Sequence, residues 1–269
     1  MRMSNKILLN FLCLLIISIN SKAQDFEVAP VLVKFDANPG EIQTRTLTLR
    51  NHSPQRQKYT FNLTDYEPDI KGTKKRLEPG TSRHSLFNWI NINPAFVELN
   101  PNETAEIELI MSVPRNGYST RWGMINVEVA REQTPSAADK QLATGVVIVP
   151  RIVVLVKQSP RANQNYKAKI NNLKEVTEPG KPYRTFEATI SNEGDKVVDA
   201  NVFLALANLE TAEEEQFKKT RFAVYPGFKR KVQLTLPVNP SPGSYALAML
   251  MDYGNNSAIE GVQMLMEVK

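Results

Sequence analysis

Along most of the chain apolar and polar residues alternate. Tyr59, Phe61 and Leu63 fall on one side of an extended segment, with Thr60 and Asn62 on the other. Ala105, Ile107, Leu109, Met111 and Val113 share a face opposite Glu106 and Glu108. Phe186, Ala188 and Ile190, and later Val202, Leu204 and Leu206, repeat the pattern. A period of two predicts strands with one buried and one wet face. A helical period occurs only near residues 209–216, where a Glu-rich stretch predicts one short turn. Pro-Gly pairs at 39–40, 79–80, 179–180, 226–227 and 242–243 punctuate these runs. Proline presets the first central angle of a tight turn, and glycine supplies the positive φ that follows it in type II. Short alternating runs between such turns predict an all-β sandwich.

The chain also repeats itself. Asn51 ends a strand in the first half, followed by the 96–101 segment FVELNP, a strand carrying Leu109, then Val113-Pro114 and Gly117-Tyr118. Asn192 ends a strand in the second half, followed by FAVYP at 222–226, a strand carrying Leu234, then Leu236-Pro237 and Gly243-Ser244-Tyr245. Two tandem immunoglobulin-like β-sandwich domains are therefore expected, at 24–157 and 165–269, joined by a polar linker at 158–164. The first domain carries an extra segment around residues 68–88, polar and basic, which reads as a loop.

The N-terminus bears on location. Arg2 and Lys6 precede an uncharged apolar run at 7–19, and Ser21-Lys22-Ala23 offers small residues for cleavage before Gln24. That layout predicts a signal peptide at 1–23; the run is short for a membrane span. Cys13, the only cysteine, lies inside it behind bulky Phe11 and Leu12, which argues against lipid attachment. An exported chain without cysteine suits a bacterial envelope, periplasmic or cell-surface, better than a disulfide-rich animal setting. The sequons at Asn51, Asn62, Asn102 and Asn255 carry little weight beside that. The signal holds three of the basic residues, so the net charge of +5 falls to +2 (5 − 3) after cleavage. No basic tract points to nucleic acid, and no second apolar run is long enough to span a membrane.

The catalytic inventory is thin. His52 and His84 are the two histidines, and both sit in turn-like sequence that predicts exposed loops. His84-Ser85 lacks the strand-turn-helix context of a nucleophile elbow. Zinc needs three or four suitable ligands, which this chain does not assemble. Asp65, Glu67 and Asp69, and the run Glu213-Glu214-Glu215, lack a glycine-punctuated calcium loop and read as solvated surface. No phosphate-binding loop occurs. No cofactor is expected, and the chain reads as a binding protein rather than an enzyme. Trp89, Trp122 and Tyr118 have two readings, sandwich core or aromatic anchors for a sugar or protein surface.

One segment departs from alternation. Residues 146–156, VVIVPRIVVLV, are apolar on both faces and interrupted only by Pro150 and Arg151. Such a strand is covered on both sides, and two kinds of cover are open. One is its own sheet together with the second domain. The other is a partner, because Pro150 places the strand at or near an edge, and an exposed apolar edge calls for a strand from elsewhere.

The first domain resembles the N-terminal domain of PapD-like periplasmic pilus chaperones. The residues that carry the resemblance are Phe35-Asp36, the segment LTLRN at 47–51, FVELNP at 96–101, the strand at 123–129, and Pro150 with RIVVL at 151–155. The resemblance implies two angled immunoglobulin-like domains that lend a strand to unfinished pilus subunits. It also implies two cleft bases that anchor a subunit's C-terminal carboxylate. Arg151 matches one of them. The other falls near Leu32, where there is no base, with Lys34 close by but off register. The chain is also similar to two-domain surface proteins that accompany WxL proteins, on the Gly72 segment, the 114–123 loop and the apolar strand. That similarity implies peptidoglycan or a fixed protein as partner. The expected partner-binding residues are thus Lys34, Arg151, Ile152, Val153, Val154 and Leu155. The expected role is capture of extended segments of envelope, pilus or secretion-system proteins by strand pairing, the alternative being an adhesion or scaffold module.

Overall fold

The computed structural model describes residues 25–130 and 150–269. The expected signal peptide and residues 146–149 of the apolar run lie outside the described residues. All the regular structure described is β. In the first sandwich one sheet runs β1 (Phe26–Ala29), β3 (Ile42–Asn51), β8 (Thr104–Ser112), β6 (Ile90–Asn93). The facing sheet runs β2 (Leu32–Phe35), β10 (Arg151–Gln158), β9 (Arg121–Val129), β4 (Gln57–Pro68), β5 (Lys74–Leu77), with β7 (Phe96–Leu99) also on β4. The alternation read from sequence sets the core: Leu47, Leu49, Ile107, Leu109 and Met111 of one sheet face Tyr59, Phe61, Ile125, Val127, Val154 and Val156 of the other.

The second sandwich packs β11 (Ala168–Glu175), β12 (Thr185–Asn192) and β16 (Lys229–Thr235) against a larger sheet. That sheet orders β14 (Glu214–Gln216), β13 (Val198–Asn208), β17 (Gly243–Asp252) and β18 (Glu260–Val268), with β15 (Thr220–Val224) also on β13. Its separate core includes Phe186, Ile190, Val202, Leu204, Leu247 and Met249. The protein is thus all-β, two immunoglobulin-like sandwiches.

Three local expectations are corrected. Residues 209–211 make the short turn, the Ala212 amide donating to the Asn208 carbonyl at 3.0 Å, but 214–216 leave it as an edge strand on β13. The 68–88 segment is not simply a loop: β5 pairs with β4, and Leu86 is fully buried in the first core. His84 is buried with it, not an exposed loop histidine.

A third apolar cluster joins the domains. Tyr66, Trp122 and Met124 of the first domain meet Tyr225 of the second, with Val153, Leu155, Val197, Ala223 and Phe228 packed around them. The Tyr66 and Tyr225 hydroxyls are hydrogen-bonded at 2.8 Å. The β4–β5 hairpin also reaches the second domain, where the Lys231 amide of β16 donates to the Ile70 carbonyl at 2.7 Å. Gly72 turns this hairpin at φ +85°, and a Cβ there would stand 2.6 Å from the Arg230 guanidinium carbon. The turn requires glycine; the guanidinium, at the end of a flexible side chain, can swing aside.

The corner that ends β3 recurs at the end of β12. Asn51, fully buried, donates through Nδ2 to the carbonyls of Gln55, Leu99 and Asn100, while its Oδ1 accepts from the Ser53 amide and the Tyr59 hydroxyl. Asn192 donates to Lys196 and Val224 and accepts from the Gly194 amide.

Candidate functional site

The described part of the apolar run, in β10, is covered on both faces and, among the described residues, open along part of one edge. β10 pairs with β9 over its whole length, from Arg151 opposite Glu128 to Gln158 opposite Arg121. On its other side β2 pairs only with residues 155–158. The N-terminal chain crosses from one sheet to the other between β1 and β2, so it reaches β10 only at its second half. The Leu155 amide donates to the Val31 carbonyl at 2.9 Å. Strand alternation aims the main-chain groups of Val153 and Arg151 to the same side, where no described strand pairs with them. Val154 and Val156 point into the first core with Ile152 against it, whereas Val153 and Leu155 face the inter-domain cluster.

The two expected anchor bases are not together. Arg151 opens β10, and its Nε ion-pairs with the Glu128 carboxylate at 2.5 Å. Six residues further on, about 20 Å at a strand rise of about 3.3 Å per residue, β10 brings Lys157 into register with Lys34 of β2. These two lysines line a cleft of about 390 Å³ between the domains, with Asp36, Arg161, Lys196 and Asp199. Arg161 holds Asp36 and Glu41 at 3.3 and 2.7 Å, and Arg221 holds Asp199 at 2.9 Å. The Lys196 ammonium donates to the Pro160 carbonyl at 2.8 Å. Among the described residues no carboxylate lies within ion-pairing distance of Lys34 or Lys157. Burial lowers the Lys157 pKa, with Asp199 opposing and Lys34, Lys74 and Arg221 adding to the fall. A desolvated ammonium over the Tyr225 ring (4.9 Å) beside a second cation gains when an anion arrives. Sequence reasoning missed Lys157, Arg161 and Lys196. The signal for Lys157 was present, as the first charge to end the apolar run.

The wall between site and second domain is aromatic. Trp122, 1% exposed, donates from Nε1 to the Tyr66 carbonyl at 2.9 Å and meets Tyr225 edge-on at 4.8 Å. His84 stacks on its other side at 4.1 Å. Arg83 Nε donates to His84 Nε2 at 3.0 Å. A guanidinium can only donate, so Nε2 is the acceptor and Nδ1 carries the proton toward the Thr120 carbonyl at 3.2 Å. Burial holds the His84 pKa below its ordinary 6.5; the Thr120 bond opposes this, and Arg83 and Arg121 add to it. The unfolded chain binds this proton first, so stability falls as pH drops below about 6.5, by up to about 1.4 kcal/mol per pH unit until the folded-state pKa is reached. Denaturant midpoints at pH 7.5 and 5.0 should differ in the native chain and converge in His84→Gln. An equal slope in that variant removes His84 as the cause. The carboxylates of Asp36, Glu41, Glu175 and Glu187, whose pKa values are lowered from ordinary values of 3.8 to 4.5, act in a lower window.

Trp89 is also buried and lies under the Arg121 guanidinium at 4.3 Å, which leaves Tyr118, 61% exposed, as the accessible member of the three candidate anchors. Asp65 is not solvated surface. It is fully buried, accepting from the Ser82 amide and the Ser85 hydroxyl, because the 82–89 segment folds over it. Glu213, Glu214 and Glu215 are exposed. Among the described residues no group of three or more His, Cys, Asp or Glu side chains is placed to hold a metal ion, and no helix is long and apolar enough to cross a membrane.

No protein-family model and no curated protein matches the chain in sequence. Solved structures do resemble it. The class 5 fimbriae chaperone CfaA is 13% identical, covering 91% of this chain and 99% of its own, with a TM-score of 0.46. The E. coli chaperone DraB is 12% identical over 90% and 98%, with a TM-score of 0.41. The Pseudomonas aeruginosa CupB2 chaperone is 10% identical over 88% and 98%, with a TM-score of 0.43. Fimbrial chaperones are thus among the solved structures that this two-sandwich protein is similar to.

Proposed function

We propose that the protein is an exported, non-enzymatic, chaperone-like or assembly-accessory protein of the periplasm. It captures an extended segment of an envelope, pilus or secretion-system protein by pairing it with the open half of β10. The observation that carries this reading is the edge itself: among the described residues, β10 is hydrogen-bonded on one side throughout and on the other only from Leu155 onward. A segment added there gains main-chain hydrogen bonds from Arg151 and Val153. From Leu155 onward β2 takes this edge, so the segment leaves it there and turns its end onto the inter-domain face, where the Lys34–Lys157 cleft supplies charge for a terminal or side-chain carboxylate. Lys157 and Lys34 take the anchoring role in this reading. Arg151, already paired with Glu128, frames the far end of the edge.

The adhesion reading rested on exposed aromatics. With Trp89 and Trp122 in the interior, Tyr118 is the one of the three candidate anchors left to support it. Proline at Val153 tests strand addition because it deletes the amide on the free edge, a position where proline is tolerated. A photo-crosslinker at Ile152 should trap a protein partner in cells. Val153→Pro should cut that adduct at least tenfold, and Lys34→Glu with Lys157→Glu severalfold, with melting temperatures little changed. An adduct indifferent to Val153→Pro rules out pairing at this edge.

A further inference from the structure

The outward face of the small sheet of the second domain carries its cations in an ordered array. Register places Lys169, Ser191 and Lys229 in one row, Asn171, Thr189 and Lys231 in the next, and Lys174, Glu187 and Gln233 in the third. Lys167 stands just before β11. The two carboxylates present are each shared between two ammonium groups. Glu187 is held by Lys231 at 3.2 Å and Lys174 at 3.5 Å, and Glu193 by Lys167 at 3.3 Å and Lys169 at 3.6 Å. The Glu187 side chain is recessed, 10% exposed, while those four lysines are 40–60% exposed; Glu193, at 38%, is an exposed carboxylate. Lys229 is exposed as well. A surface approaching this face therefore meets five ammonium groups against one recessed and one exposed carboxylate, each already shared between two lysines.

We infer that this face is an electrostatic docking surface for an anionic lipid bilayer. Three features select that occupant. Every cation in the array is a lysine, a point charge without the guanidinium fork that grips a single carboxylate or phosphate from two sides, so the array suits many diffuse anions rather than one ligand. The residues between the lysines are Ser191, Thr189, Asn171 and Gln233; protein interfaces instead centre on apolar and aromatic side chains and are depleted in lysine. The array spreads over three neighbouring strands, about 10 Å across at a strand spacing of about 4.8 Å, which matches a layer of headgroups better than a single extended chain. Each lysine near an anionic leaflet adds to the attraction, and screening by salt removes most of it. The face shares no residue with the strand edge or the cleft, so it stands whether or not the strand-pairing reading holds.

The test is sedimentation of the purified protein with vesicles of phosphatidylcholine alone or with 30% phosphatidylglycerol, at about 50 and 500 mM salt, the two sides of the screening regime. The expected result is binding to the anionic vesicles alone, lost at high salt and weakened at least tenfold by Lys169→Glu, Lys229→Glu and Lys231→Glu together. The corresponding triple Lys→Gln variant weakens it less and guards against a folding defect. Arg50→Glu, Lys75→Glu and Lys218→Glu, an equal change in charge elsewhere, leaves most of it intact. No preference for the anionic vesicles, or equal losses in the two charge-reversed triples, overturns the proposal. Retention on immobilised poly-glutamate or dextran sulfate without vesicle binding also overturns it, and assigns the face to an acidic polymer.

Discussion

Trp122→Ala should lower stability by about 3–5 kcal/mol, the cost of removing a large fully buried aromatic. Three losses combine. The indole fills the joint between the domains, touching His84, Tyr66, Tyr225 and Phe228. Its Nε1 satisfies the Tyr66 carbonyl, which alanine leaves buried without that donor. The Tyr66–Tyr225 hydroxyl bond that spans the joint loses the ring that frames it. Denaturant unfolding measures the energy, and small-angle scattering measures the spread of domain angles. The expected outcome is that loss in denaturant, a thermal midpoint lower by roughly 10 °C, and a broader distribution of shapes. A loss under about 1 kcal/mol, outside the range for a buried aromatic, contradicts the assignment of this ring to the joint. Trp122→Phe, which keeps the packing and gives up the indole donor, should recover more than half of the loss.

The second large effect is expected at Asn51. Alanine there deprives three carbonyls and two donors of their partner at once. At about 1–3 kcal/mol for each buried group left unsatisfied, and with water reaching the part-buried ones, the total should be about 3–5 kcal/mol. Asn192→Ala, with three bonds at stake, should cost less. Asn51→Asp keeps the acceptor for Ser53 and Tyr59 but sets a carboxylate against three carbonyls, so it should not rescue. Equal melting of Asn51→Ala and Asn192→Ala, or full rescue by aspartate, refutes this account of the corner.

That corner shows how much of the fold the sequence displayed. Asn51 and Asn192 each end a strand at matching places in the two halves, and the repeat was readable because both copies solve one problem. The chain must leave a sheet edge without stranding its carbonyls, and a single amide bonds several of them. Alternation at 59–63 and 105–113 was equally open to reading, since a sandwich strand has one inner face. The inter-domain joint was not. Tyr66, Trp122 and Tyr225 lie far apart in sequence, and their burial depends on how two folded units meet, to which no local period responds. His84 and Asp65 were misplaced for the same reason: polar residues in a polar segment look wet until the segment folds over them.

The candidate site was half legible. The two-sided apolar run marked β10 and its proline marked an edge, yet which half of the edge is open follows from where β2 begins to pair. Arg151 enters as an anchor through the resemblance to pilus chaperones, a match that Lys157 does not have. Lys157 reaches the cleft because parallel pairing sets it beside Lys34, and parallel register between segments more than a hundred residues apart leaves no trace in local pattern.

The bond from Lys231 to Ile70 has an evolutionary implication. Part of the grip between the two units is written in backbone, which every amino acid except proline carries in the same form. Apart from Gly72, which sets the turn, and Asp69, whose carboxylate accepts from the Lys71 and Thr73 amides, side chains at the hairpin tip are therefore free to drift over many generations without loosening that grip. Adding or removing one residue between β4 and β5 is different in kind, because it turns the Ile70 carbonyl away from its donor. Length at this tip, more than composition, is what selection is expected to guard.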